Sequence, residues 1–268
     1  MSTKIASLQN PLVKRLIKLQ DKARERKKTG LFTIEGLREL SLAIAGDYRV
    51  KSILYVPEIV ELDQLSKIAT SPLINFFEIS KEVYKKLAYR EGTEGMIAVI
   101  KAKNHHLEQI KINNKNPLVL IVEAPEKPGN IGALLRTADA ANVDAVFIAN
   151  PTTDLYNSNI IRSSVGCVFT NQIAMGSSSE IRSYLKEKNI RIFCATLKEK
   201  SKAYHTQDFT KATAIVVGTE ATGLSEEWYQ DDSQSIIIPM RGEIDSINVS
   251  VAAGILVFEA VRQRFASN

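Results

Sequence analysis

Leu118-Val119-Leu120-Ile121-Val122 is an unbroken apolar run. It leads directly into Glu123-Ala124-Pro125-Glu126-Lys127-Pro128-Gly129-Asn130-Ile131-Gly132-Ala133-Leu134-Leu135-Arg136-Thr137-Ala138-Asp139-Ala140. A strand with no polar alternation is one covered on both faces, which is the habit of a central parallel strand. Two prolines and a glycine then break the ladder, and a helical pattern follows, so the stretch reads strand, turn, helix. Outward from it, strands are expected at 145–149, 168–173, 190–195, 214–218 and 236–238. Helices are expected near 131–141, 158–163 and 179–188, with a shorter turn at 225–229. That alternation predicts an open parallel α/β sheet with helices on both faces, and a ligand site at the C-terminal ends of its strands.

Two further stretches have the same construction. Ile215-Val216-Val217-Gly218-Thr219-Glu220-Ala221-Thr222-Gly223-Leu224 is a strand running into a glycine-containing turn. Ser235-Ile236-Ile237-Ile238-Pro239-Met240-Arg241-Gly242-Glu243-Ile244-Asp245-Ser246-Ile247-Asn248-Val249-Ser250-Val251-Ala252 is a β-branched run that stops at Pro239, whose missing N–H ends the ladder. Its polar loop carries Asp245, Ser246 and Asn248 just before a helix expected at 249–262, which is apolar almost all round until Glu259. Such a helix is buried or packed against another subunit. Small polar side chains at its start cap it on structural grounds alone, and the same position favours electron-rich ligands.

Several chemistries are excluded by spacing. Pro128-Gly129-Asn130-Ile131-Gly132 has neither the G-x-G-x-x-G of a dinucleotide fold nor the G-K-[ST] of a phosphate loop, and no G-x-S-x-G surrounds Ser246. Cys167 and Cys194 are isolated in apolar segments that read as strands, and His105, His106 and His205 have no ligand spacing, so neither a disulfide nor a metal is expected. No apolar run approaches the length that spans a bilayer, and no signal-peptide core follows the basic N-terminus; a cytoplasmic protein is expected.

Charge is distributed unevenly. Residues 1–28 hold nine basic side chains (Lys4, Lys14, Arg15, Lys18, Lys22, Arg24, Arg26, Lys27, Lys28) against Asp21 and Glu25, a net of +7, which leaves the other 240 residues at −2. A solvated helix face is the bland explanation of a charge run, but this one-sidedness suits a phosphate backbone. Leu12, Val13, Leu16, Ile17 and Leu19 give the segment an apolar helical stripe. Alternating pieces at 31–34, 37–45, 50–56, 59–68, 73–79, 81–87 and 96–100 predict a small α/β domain over residues 1–100. Polar residues 101–116, which contain a possible helical turn near 107–112, form a linker, and a second domain covers 117–268.

Motif by motif and in the same order, the three stretches from residue 117 onward resemble the signatures of the SpoU (TrmH-type) RNA ribose 2′-O-methyltransferases of the SPOUT superfamily. The opening Ser7-Leu8-Gln9-Asn10-Pro11-Leu12-Val13-Lys14, with Gly30 to Gly36 and Glu94 to Val99, resembles the L30e-like RNA-binding domain that precedes the catalytic domain in many of them. The resemblance implies a deep trefoil knot, a homodimer and S-adenosylmethionine as cofactor. It puts cofactor contacts at Gly218, Thr219, Ile238, Met240, Ile247 and Asn248. It implies Arg136 as the central catalytic residue, completed by Asn130, Glu220, Ser246 and Asn248; Glu220 reads equally as a carboxylate near a helix start. One departure is visible: the usual Ser-Leu-Asn of the third signature is Ser246-Ile247-Asn248. RNA contacts are expected from Lys14, Arg15, Lys18, Lys22, Arg24, Arg26, Lys27 and Lys28. Ribosomal RNA is the expected substrate; transfer RNA, a drug-resistance role and a catalytically silent assembly factor are the alternatives.

Overall fold

The computed structural model describes residues 3–89, 94–198, 200–219 and 222–266. Its contacts form two compact units: one runs from the N-terminus to Asn104 and adds Asp154–Thr170, and the other comprises His105–Thr153 and the chain from Asn171 onward.

The first unit begins with β1 (Thr3–Ile5), α1 (Pro11–Asp21) and α2 (Ala23–Thr29). The Asn10 side chain accepts the Leu12 N–H at 2.8 Å and Pro11 occupies the first turn, so α1 starts where its sequence says. Val13, Leu16 and Leu19 are buried, while Lys14, Arg15 and Lys18 face solvent. The basic segment is two helices because the chain turns extended at Lys22. Arg26 then folds back, donating from Nη1 to the carbonyls of Leu19 (2.6 Å) and Gln20 (2.8 Å) at the end of α1. Orphan carbonyls at a helix end need donors of this kind.

The unit continues with β2 (Leu31–Glu35), α3 (Leu37–Ala45), β3 (Val50–Tyr55), α4 (Leu62–Ile68), β4 (Asn75–Ile79), α5 (Lys81–Leu87) and β5 (Met96–Lys101). Its five strands lie in the order β1-β4-β3-β5-β2, a mixed sheet in which β5 is antiparallel to both β2 and β3. Val13, Leu16 and Leu19 of α1 and Val83, Tyr84 and Leu87 of α5 pack on Leu54, Ile97 and Val99 of that sheet.

In the second unit, a 3-10 turn at Leu107–Gln109 precedes β6 (Leu118–Glu123), α6 (Pro128–Ala140) and β7 (Ala145–Ala149). The polar stretch before β6 is not free chain: the Met175 N–H donates to the His105 carbonyl at 2.7 Å, and Gln172 pairs with both backbone groups of Lys111. The chain then contributes α7 (Ser158–Ser163) and α8 (Cys167–Thr170) to the first unit. Here the sequence reading fails, since a strand was expected at 168–173. Val168 and Phe169 are buried, but by a short helix against α3, and an apolar run of this length looks the same either way. The approach is close enough that a Cβ on Gly46 would lie 2.2 Å from the Phe169 carbonyl oxygen. Cys167 therefore belongs to a helix, and only Cys194 to a strand; both are buried free thiols.

The rest is β8 (Ile173–Gly176), α9 (Ser178–Glu187), β9 (Arg191–Ala195), β10 (Lys202–Ala203), β11 (Thr213–Val217), β12 (Ser233–Ile237) and α10 (Val249–Ala266). Every pairing in this seven-stranded sheet is parallel, in the order β10-β12-β9-β11-β6-β7-β8, with β6 and β11 inside it. Val119 and Ile121 turn toward Ile181 and Leu185 of α9. On the strands' other face α10 lies against α6, β11 and β6, so the all-apolar helix is covered first by its own chain. Arg264 anchors its last turn, donating to the carbonyls of Phe209 (3.0 Å), Pro117 (3.2 Å) and Lys211 (2.7 Å). No helix of the described residues is long and apolar enough to cross a membrane.

Candidate functional site

All three motif loops leave C-terminal strand ends of the second unit: β6 into α6, β11 into the Thr219–Gly223 turn, and β12 into the loop before α10. The β11 turn is built tightly. Thr219 and Gly223 exchange both backbone hydrogen bonds (3.2 and 3.1 Å), the Thr219 hydroxyl accepts the Thr222 N–H at 3.1 Å, and Gly223 sits at φ 68°. A Cβ on Gly218 would lie 2.3 Å from the Gly223 carbonyl carbon and oxygen, so no larger residue fits there.

The loops after β11 and β12, with the one following β9, line a cavity of about 500 Å³. Apolar walls come from Leu197, Val217, Leu224, Ile236, Ile238, Met240, Ile247, Val249 and Ala252, and polar groups from Thr196, Lys198, Thr219, Thr222, Glu226 and Ser246. Five of the six expected cofactor residues therefore converge: Gly218, Thr219, Ile238, Met240 and Ile247. Asn248 is not in the wall. It caps α10, its Oδ1 accepting from the Ser250 N–H (2.9 Å) and hydroxyl (2.6 Å), and its Nδ2 donates to Asn130 Oδ1 at 3.2 Å. That bond joins the first and third motifs.

Asn130 lines a smaller adjoining cavity of about 70 Å³ with Val122, Pro125, Glu126, Lys127 and Leu134, and Gly218, Thr219 and Val249 border both spaces. Ser246 is exposed, its hydroxyl donating to Asp245 Oδ1 at 3.2 Å. Arg136 lies elsewhere. Six residues beyond Asn130, it projects about 120° around the helix; it is exposed and meets no hydrogen-bonding or charged partner among the described residues. Glu220 lies outside the described residues.

Sequence reasoning missed the wall after β9. Tyr229 donates its hydroxyl to Thr196 Oγ1 at 3.0 Å. Lys198 lies 3.3 Å over the Tyr229 ring and pairs with Glu226 at 3.1 Å, fastening the two loops together. The signal was available, because the end of β9 is one more C-terminal strand end beside β11. A second missed residue is Glu123, a buried carboxylate at the end of β6. It accepts from the Ser178 hydroxyl (2.6 Å) and from the Ser225 N–H and hydroxyl (both 2.7 Å), holding the loop after β11 against the start of α9. Behind them Cys194 has its thiol pushed up to about 12 by burial.

On the first unit, Lys14, Arg15, Lys18, Lys22, Arg24, Lys27 and Lys28 are exposed. Arg26 is not, which corrects its place among the expected RNA contacts. It is 5 % exposed, and its guanidinium is consumed by the Leu19 and Gln20 carbonyls and by the Asp154 carboxylate.

Residues 117–258 match the SpoU rRNA Methylase family. The chain belongs to that family. Residues 10–98 match an MRM3-like substrate binding domain. Among curated relatives, the 23S rRNA (guanosine(2553)-2′-O)-methyltransferase RlmP of Bacillus subtilis is 29% identical over 95% of this chain and 97% of its own length. The tRNA (guanosine(18)-2′-O)-methyltransferase of Thermus thermophilus is 33% identical over 65% of this chain and 86% of its own. Among solved structures, an RNA 2′-O ribose methyltransferase superposes with a TM-score of 0.82 at 34% identity, covering 98% of this chain and all of that one. An AdoMet-bound rRNA methyltransferase from Sinorhizobium meliloti gives 0.89 at 25% identity, covering 97% and 98%. The parallel α/β fold is thus shared with both of these solved structures.

Proposed function

We propose that the chain is an S-adenosylmethionine-dependent RNA ribose 2′-O-methyltransferase acting on ribosomal RNA. The observation that carries the reading is the cavity bounded by Gly218, Ile238, Met240 and Ile247 next to the Asn248–Asn130 bond. Its volume lies within the usual range for a small-molecule site, and its apolar walls with irregular backbone between them suit an adenine ring. The bound cofactor supplies a sulfonium methyl group with a good leaving group already in place. What remains for the protein is alignment of a ribose hydroxyl and removal of its proton.

Asn130, in the wall of the smaller cavity, and Asn248, which is bonded to it, orient the acceptor ribose. A guanidinium stays protonated, so Arg136 acts as a clamp on an RNA phosphate, and the hydroxyl proton leaves to a neighbouring phosphate oxygen or to water. Ser246 and Glu220 complete this set. Arg136 is exposed and lines neither of its own chain's two cavities, which supports a homodimer whose site takes Arg136 across the interface. A second observation favours this: Val251 (53 % exposed), Phe258 (46 %) and Phe265 (77 %) leave an apolar seam along α10 at spacings of seven, in line with the half-exposed Ile255.

Residues 1–100 are assigned to RNA binding on an L30e-like domain, 101–116 to the linker and 117–268 to catalysis in a trefoil-knotted SPOUT domain, with 154–170 lent to the first unit. The protein works in the cytoplasm. Relatives that cover nearly the whole chain and are named for 23S rRNA favour ribosomal RNA; the tRNA enzyme covers less of it. The test is methyl transfer by the purified chain to ribosomal RNA, followed by mapping of alkali-resistant linkages. Turnover at one ribose, abolished by Asn130→Ala, is expected; transfer to a base or to protein would overturn the reading.

A further inference from the structure

We infer that Tyr89 and Arg162 form a stacking platform on the first unit for an unpaired nucleotide of the RNA, an inference that rests on the proposed RNA methyltransferase reading. Three Phe and Tyr side chains are exposed among the described residues, and two of them, Phe258 and Phe265, lie on the α10 seam. The third is Tyr89, 46 % exposed, and it is pinned from three sides. Its N–H donates to Glu35 Oε2 at 2.9 Å, its hydroxyl donates to Asn159 Oδ1 at 2.6 Å, and the Arg162 guanidinium lies 5.1 Å from the ring centre. Core packing needs no such arrangement, because the ring is wet. A flat face held still in water suits stacking, since little side-chain freedom remains to be lost when a base lands on it.

Charge around the ring favours nucleic acid. Arg162 is exposed and has no carboxylate partner among the described residues, so one face of its guanidinium remains for a base or a phosphate. Lys85 and Lys86 project from the last turn of α5, immediately before Tyr89. Gln20 of α1 donates to the Leu87 carbonyl at 2.6 Å, which sets Tyr89 beside the helix that carries Lys14, Arg15 and Lys18. The nearby anions are Glu35, which is turned onto donors, accepting from the Tyr84 hydroxyl at 2.7 Å as well as from Tyr89, and Glu39, which is buried.

The experiment uses the full chain, a fluorescent oligoadenylate strand and a fully paired RNA duplex of equal length. Tyr89→Leu should weaken strand binding by roughly 5- to 150-fold, the range that one base–aromatic stack supports, while duplex binding is unchanged. Tyr89→Trp should restore it. Arg162→Gln should lower the slope of log affinity against log salt by about 0.7, the value for one phosphate contact on a single strand. S-adenosylhomocysteine affinity should be the same in every variant. Strand binding by Tyr89→Leu equal to wild type, or equal losses on strand and duplex, overturns the platform while leaving methyl transfer standing. A wild-type chain that binds neither RNA nor S-adenosylhomocysteine overturns the platform together with the reading beneath it.

Discussion

Replacing Gly218 by alanine adds one methyl group where the structure has no room. The new Cβ would fall 2.3 Å from the Gly223 carbonyl carbon and oxygen and 2.7 Å from the Leu224 nitrogen, all backbone atoms, where ordinary contact begins at 3.4 Å. No side chain can swing aside, so one strand of the turn must retreat by about 1 Å. Overpacking of this kind costs about 1–3 kcal/mol when it occurs in a well-packed core. The displaced backbone is also the wall shared by both cavities, and a misplacement of about 1 Å near a reacting group can lower a rate about 100-fold. Expected results are a fall of about 100-fold in kcat/KM for methyl transfer and at least tenfold weaker binding of S-adenosylhomocysteine by calorimetry. Gly254→Ala is the control. Its Cβ meets nothing of its own chain within 4 Å and it lies away from the Thr219–Gly223 turn, so cofactor binding should be unchanged. Wild-type affinity and rate in Gly218→Ala would show that the turn yields freely and that the clash argument is wrong.

Arg136→Lys keeps the charge but loses the planar fork; single-turnover methylation should slow by roughly 100-fold with cofactor affinity intact, and near-wild-type rates for both Lys and Ala variants would remove Arg136 from catalysis. Glu123→Ala strands the Ser225 N–H and two serine hydroxyls, so the urea midpoint should fall by the equivalent of about 2–4 kcal/mol. Phe258→Glu puts a charge in the α10 seam, and light scattering should then report monomer in place of dimer. The raised Cys194 thiol stays protonated when folded, so its contribution to stability is complete below the ordinary thiol value of 9.0 and is lost as pH rises beyond it; a thiol reagent at pH 8 should label Cys194 only in denaturant.

How far the sequence could be read follows from what each segment packs against. Buried parallel strands such as Leu118–Glu123 and Thr213–Val217 are unmistakable, because covering both faces removes polar residues altogether. The residues expected to touch a cofactor came from the family resemblance, whereas the place of the site was legible because the three motif loops sit at strand ends, where sheet topology puts a site whatever the loops contain. Lys198, Tyr229 and Glu123 were not, since their roles come from contacts between segments about 30 to 100 residues apart, which carry no local signature. Arg26 shows the opposite error: a basic residue in a basic run reads as surface until two helix carbonyls and Asp154 are found waiting for it. The helix at Cys167–Thr170 fails for a third reason, that a short apolar segment is decided by its neighbour rather than by its own period.

The loan of Asp154–Thr170 to the first unit has a consequence for how the chain is made. Phe32 stacks on Tyr156 at 4.1 Å and meets Phe169 at 6.0 Å, and Tyr156 shares a hydrogen bond with Tyr48 at 3.3 Å, so the aromatic heart of this unit is drawn from residues more than a hundred positions apart. Domains generally fold in order as they leave the ribosome. Here the side of the sheet that carries α1 and α5 has a core drawn wholly from residues 5–99 and can pack early, whereas Phe32 and Tyr48 stay uncovered until β6, α6 and β7 have been synthesised and Phe169 emerges. A nascent chain stalled before residue 154 should therefore be protease-sensitive around β2 and α3, and one stalled with residue 170 clear of the exit tunnel should protect them.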